Sequence, residues 1–224
     1  MNAEGAAAVA VAHLLREGVA DGGFPGAQLY ASVGGVVVTD VAVGEARLGV
    51  PMTTDTIVSW QCNTKPVTAV AACQLWERGI LDIDAPVVRY MPEFGTHGKQ
   101  EVTVRHLLTH TAGFANDPPI ATVGPLGGDR VRALVCEALL QDGWRPGAAF
   151  QYSAWYGYAA LGVLVSHVDG RPFSRYARDE IFEPLGMDDC WVGVDTDAVD
   201  EVSARMAFVY DTSGPRPEVP PGKP

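Results

Sequence analysis

Strand-like patterning in this chain is confined to a short stretch near its start. Residues 27–33 and 35–44 alternate apolar and polar positions, and Gly34-Gly35 between them suits a tight hairpin turn. A two-stranded hairpin is marginal by itself and needs further strands or a packed helix. Residues 7–20 repeat apolar positions at helical spacing until Asp21-Gly22-Gly23 breaks the pattern, and residues 51–55 read as loop. From Cys62 onward the texture is helical, with helices expected over 64–78, 103–110, 129–141, 156–169 and 175–182. The 64–78 helix carries Val67, Val70, Ala71, Leu75 and Trp76 at helical intervals and stops at Gly79. The pattern describes a sheet that is started and not finished.

Charge removes several function classes. Sixteen basic against 27 acidic side chains leave a formal charge of −11. Such a surface repels phosphate backbones, so no nucleic-acid partner is expected. No run approaches the ~20 apolar residues that span a bilayer, so no membrane partner is expected either. Residues 6–12 form a small apolar run, but Glu4 precedes it and no cationic segment leads it, which favours an amphipathic helix and a cytoplasmic location over export. Cys62, Cys73, Cys136 and Cys190 form no C-x-x-C pair and fit no zinc framework, so free thiols are expected. His106 and His110 stand four apart, without the intervening Glu or the third ligand of a metal helix. No metal and no cofactor are expected.

The chemistry-bearing segment is Cys62-Asn63-Thr64-Lys65-Pro66. Proline is tolerated only in the first turn of a helix, so the helix begins within about a turn before Pro66 and Cys62 lies at or near its N-terminus. Orphan N–H groups and the partial positive charge there favour a thiolate. Lys65, three residues on, projects from the same face. Taken alone, such a pair reads first as an inert buried cysteine beside a surface lysine.

The surroundings favour the reactive reading. Trp60-Gln61-Cys62-Asn63-Thr64-Lys65-Pro66 resembles the Ser-x-x-Lys helix of the serine β-lactamase and penicillin-binding-protein-like superfamily, particularly its class C-like esterase branch. Residues 79–94, residues 103–114 with His106-Leu107-Leu108-Thr109-His110-Thr111, Phe150-Gln151-Tyr152-Ser153, and Ile181-Phe182-Glu183-Pro184-Leu185-Gly186-Met187 are similar to further segments of that family, in its order. The resemblance covers about residues 8–210. It implies Cys62 as nucleophile, Lys65 as the amine that shuttles its proton, and Tyr152 as a second general acid/base. A lysine beside a phenol is expected to lose its proton near neutrality.

Three departures shape the expectation. Cysteine stands where the family has serine; its thioester reacts well with amines relative to water, which favours group transfer. Ala154 stands where the family usually has asparagine, which argues against β-lactam or peptidoglycan substrates. Trp155 and Tyr156 beside it either wall an apolar acyl pocket or pack the helical lobe. Finally, the family's closing strands, with their Lys-Thr-Gly or His-x-Gly motif and an oxyanion donor, have no counterpart in these residues.

The expected fold is therefore α/β (α+β) of the β-lactamase/transpeptidase type. Residues 1–60 form an N-terminal helix and hairpin, 61–190 a nucleophile helix and helical lobe, and 191–224 a connecting segment and Pro-rich tail that is extended or mobile. The acidic run 195–201 is expected as solvated surface. The expected function is acyl transfer in specialised metabolism through a Cys62 thioester, with Lys65 and Tyr152 catalytic and Ala154, Trp155 and Tyr156 binding a small acyl substrate. The sheet is expected to be completed by a second polypeptide or a second copy of the chain. An ester or amide hydrolase, and a non-catalytic binding or scaffold protein, are the alternatives.

Overall fold

A computed structural model of the chain describes residues 3–118, 127–194 and 198–209. The chain divides into two compact units, residues 1–59 with 195–224, and residues 60–194.

In the first unit, helix α1 (Ala3–Ala20) is followed by β1 (Gly26–Val33), β2 (Val36–Arg47) and β3 (Val50–Pro51), hydrogen-bonded antiparallel in the order β1-β2-β3. Gly34 and Gly35 both have positive φ, +57° and +81°, as the tight hairpin between β1 and β2 requires. The register shifts between Ala31 and Ser32, a bulge that bends the ribbon. Pro51 was expected in a loop and instead pairs with Glu45, on a two-residue edge strand where its missing N–H does no harm. Helix α7 (Val199–Arg205) is a second departure, because the acidic run there read only as solvated surface. Asp200 and Glu201 remain exposed, but they occupy the helix's first turn, where the macrodipole favours them. At its other end Arg47 donates to the carbonyls of Ser203, Ala204 and Met206 at 3.1, 2.9 and 2.8 Å. Residues 195–197, and the tail from 210 onward, lie outside the described residues.

The buried apolar set of this unit is small: Ala12, Val43, Ala46, Val202 and Ala207. Tyr30, Val33, Val36 and Val37 expose half or more of their surface.

The second unit is helical. A 3-10 turn (Gln61–Asn63) leads into α2 (Thr64–Glu77), and α3 (Val104–Leu108), α4 (Gly128–Glu137), α5 (Tyr156–Asp169) and α6 (Phe173–Ala177) follow. The helix expected over 175–182 begins two residues early and widens to π geometry over Arg178–Phe182. Leu75, Phe94, Leu107, Leu161, Leu164 and Tyr176 are fully buried at its centre. On α2 the buried face is Val67, Thr68, Ala71, Ala72 and Leu75. Val70 and Trp76, expected in the apolar stripe, are about half exposed and line a groove of about 620 Å³ with Ala69, Cys73, Gln74 and Glu77. All four cysteines are free. No helix among the described residues is long and apolar enough to cross a membrane.

Two local devices fix the lobe. Thr103 and His106 form a reciprocal capping box at the start of α3, so His106 serves as a helix cap. Lys99 is fully buried, and its ammonium donates to the carbonyls of Cys136 and Ala138 at 2.8 and 2.6 Å. It thereby satisfies acceptors at the C-terminal end of α4. Burial pushes the Lys99 amine down to about 8 from its ordinary 10.5, with the nearby Cys136 and Glu137 opposing.

Removing this side chain takes the ammonium away from the buried Ala138 carbonyl, while the Cys136 carbonyl keeps the Thr96 hydroxyl, so Lys99→Ala is expected to cost about 1–3 kcal/mol in denaturant unfolding. Because the folded-state pKa lies below the unfolded one, the unfolded chain binds more protons between pH 8 and 10.5, and stability should rise with pH there. Lys99→Met should flatten that rise; identical slopes in the two proteins would contradict the assignment.

Candidate active site

Residues 60–65 deliver Cys62 at a sharp turn. Gln61 stands in the left-handed region at φ +50°, uncommon for a residue with a side chain and a sign of a locally over-determined backbone. The 3-10 turn and α2 follow without a side-chain cap, so Cys62 sits where helix N–H groups and the positive dipole end gather. Pro66 lies within the first turn of α2, as its missing N–H requires.

Lys65 and Tyr152 meet Cys62 there. The Tyr152 hydroxyl, by hydrogen bonding, is the strongest influence holding the Cys62 thiol below its ordinary value. Slight burial opposes it, and the Lys65 ammonium reinforces it by hydrogen bond and charge. The Lys65 ammonium also donates to the carbonyl of Ala154 at 2.8 Å and lies 5.0 Å from the centre of the Tyr152 ring.

Lys65 corrects one expectation. Partial burial works to lower its pKa, but hydrogen bonds with Tyr152 and Cys62 and the charges of both outweigh burial, and the pKa is raised. The side chain is a resting cation and not an amine poised near neutrality. Its partners are groups that themselves become anions, and each stabilises the ammonium.

The other site residues are placed by a group that no motif flagged. The Asp117 carboxylate accepts from the Ser153 hydroxyl at 2.8 Å and from the N–H groups of Ala154, Trp155 and Tyr156 at 2.5, 3.1 and 2.8 Å. Ser153 Oγ in turn accepts from the N–H of Gly157 at 3.1 Å. The first turn of α5 is thus capped by an acid 36 residues away from Ser153. Ala154 contributes main chain only: its N–H goes to Asp117 and its carbonyl to Lys65. Trp155 and Tyr156 meet edge to face with ring centres 5.3 Å apart, Tyr156 lies 5.5 Å from Phe114, and both pack against the helical core. No cluster of three potential metal ligands occurs among the described residues.

The mixed α/β fold is that of the β-lactamase/transpeptidase-like class. The chain belongs to the Beta-lactamase family, whose model matches residues 11–223. It is 30% identical over 194 residues to the esterase EstB of Burkholderia gladioli, covering 78% of this chain and 47% of the esterase. Among solved structures it is similar to a penicillin-binding-protein homologue from Caulobacter crescentus, with TM-score 0.75 and 30% identity over 95% of this chain and 56% of that one. It is also similar to EstCE1, described as a hydrolase with promiscuous acyltransferase activity, with TM-score 0.69 and 25% identity over 82% of this chain and 52% of that one. The chain spans about half the length of the curated relatives it matches.

The Cys62 thiolate should form below the ~8.5 of a free thiol. Alkylation rates measured against pH are expected to show this, with an upward shift in both Tyr152→Phe and Lys65→Met. An ordinary midpoint in the unsubstituted chain would contradict the geometry.

Proposed function

We propose that the protein is an acyl-transfer enzyme that forms a thioester on Cys62. The observation that carries this reading is a thiol at a helix start with Lys65 one turn on, its ammonium bonded to the Ala154 carbonyl and set against the Tyr152 ring. The Tyr152 hydroxyl and the Lys65 ammonium both act to lower the thiol. In the first half-reaction the thiolate attacks the acyl carbon of a small ester or thioester. The bond to the leaving group then breaks, and that group takes a proton from Lys65 or Tyr152. In the second, an amine, alcohol or water attacks the thioester carbonyl and passes its proton to the same pair. The sulfur leaves as thiolate.

The cationic state of Lys65 suits this division of labour. A thiolate needs no general base to become a nucleophile, so the lysine is free to act as counter-ion and acid. The N–H of residue 62 can serve as one oxyanion donor. A donor of this kind is typically worth ~10²–10³-fold in rate. EstB is an esterase and EstCE1 a hydrolase that also transfers acyl groups, which supports acyl chemistry on this scaffold.

Intact-mass measurement after incubation with activated acyl esters and thioesters tests the reading. A single acyl adduct absent in Cys62→Ala is the expected result, and its faster loss to added amine than to buffer separates transfer from hydrolysis. No adduct on a folded chain would overturn the reading in favour of a binding protein.

We also propose that a second polypeptide or a second copy of the chain covers the exposed strand residues of the first unit. The exposed Tyr30, Val33, Val36 and Val37 support it. Alone, the chain is expected to self-associate in sedimentation velocity; a monodisperse monomer across a wide concentration range would contradict this.

A further inference from the structure

Beyond the nucleophile and its two partners, His110 grips the tyrosine from both sides. The N–H of Gln151 donates to the carbonyl of His110 at 2.8 Å, and the N–H of Ser153 donates to its Nδ1 at 3.2 Å. The residues flanking Tyr152 are therefore both tied to one histidine. The His110 ring also lies against the Tyr152 ring, with centres 4.6 Å apart and planes tilted by 38°. Tyr158 of α5 packs on the imidazole at 5.2 Å and ties its own hydroxyl to the carbonyl of Leu108. Phe150 meets the imidazole edge to face at 6.0 Å.

His110 itself is held in an unusual backbone state, φ +55°, where histidine is tolerated better than most residues but still at a cost. That conformation lets its carbonyl and its Nδ1 face the same strip of chain. A metal role had been set aside on spacing alone. What the structure adds is a different use for the ring.

We infer that His110 is the positioning residue for Tyr152, acting on Cys62 through it, and that it does so as a neutral imidazole with its proton on Nε2. This rests on the reading of Cys62 as nucleophile. The tautomer follows from the hydrogen bond: Nδ1 can accept from Ser153 only while it carries no proton. The charged groups around the ring agree. Burial and the Lys65 ammonium disfavour the imidazolium, and only Asp117 pulls the other way. Tyr152 and Tyr158 complete the titratable groups that face it. Protonation would replace an acceptor by a donor aimed at an N–H group, releasing one side of the tyrosine.

A side chain that merely packed the lobe would change stability without moving the thiol. The test is the pH dependence of Cys62 alkylation in the full chain. His110→Gly accepts the positive φ while removing the imidazole. It is expected to raise the midpoint about as far as Tyr152→Phe does, and the double variant should add nothing. His110→Asn tolerates the same backbone state and can offer an acceptor near the position of Nδ1, so it should restore most of the lowering. Additive shifts, or a His110→Gly midpoint equal to that of the unsubstituted chain, would overturn the inference. An unlowered thiol in the unsubstituted chain would instead sink the reading of Cys62, and this inference with it. Should His110→Gly not fold, nitrogen-15 NMR of the unsubstituted chain decides the matter. A neutral ring protonated on Nε2 at pH 7 supports the assignment; an imidazolium or an Nδ1-protonated ring refutes it.

Discussion

Four donors from consecutive residues converge on one carboxylate. Asp117 takes the hydroxyl of Ser153 and the N–H groups of Ala154, Trp155 and Tyr156, and so fixes where α5 starts. A helix start left bare inside a lobe would strand several amide donors, at a cost of about 1–3 kcal/mol each. Once these donors are bound, the chain just before them has little freedom. The Ala154 carbonyl is turned to the Lys65 ammonium, and the residues either side of Tyr152 are pinned to His110. The geometry around Cys62 thus depends on an interaction that touches none of the reacting atoms.

The electrostatics follow from that placement. Tyr152 and Lys65 both favour the charged form of Cys62, and Tyr152 and Cys62 both favour the charged form of Lys65. The thiol is pulled down while the lysine is pushed up. A hydroxyl in the same position would need a neutral amine to remove its proton. A thiol does not, so cysteine and a cationic lysine are mutually consistent. This consistency is the physical reason for reading Lys65 as the counter-ion that favours the thiolate.

Much of this was legible in the sequence because it depends on local rules. Pro66 located the start of α2 to within a residue or two, and Gly34-Gly35 located the hairpin. The helix at Tyr156–Asp169 was bounded correctly by its own apolar spacing and by Gly170, which takes the left-handed C-cap at φ +87°. What could not be read was non-local. Asp117 has no motif, and its role exists only because folding brings it to residues 36–39 positions away. The direction of the Lys65 shift depends on how three side chains balance against burial, which spacing does not encode. Helix α7 was missed because its short length leaves no periodicity to detect, and the carbonyls at its end are satisfied by Arg47, a remote strand residue. The exposed half of α2 was misassigned for the opposite reason. Val70 and Trp76 look like core residues by spacing, yet among the described residues they stay about half exposed.

The central claim is that the Cys62 sulfur carries the acyl group. Carbon-13 NMR of the full chain after reaction with a carbonyl-labelled acyl ester tests this at the atom concerned. The account predicts one protein-bound resonance with the chemical shift of a thioester, lost in Cys62→Ala and discharged by added amine. A resonance characteristic of an oxygen ester or an amide, persisting when Cys62 is replaced, would contradict it.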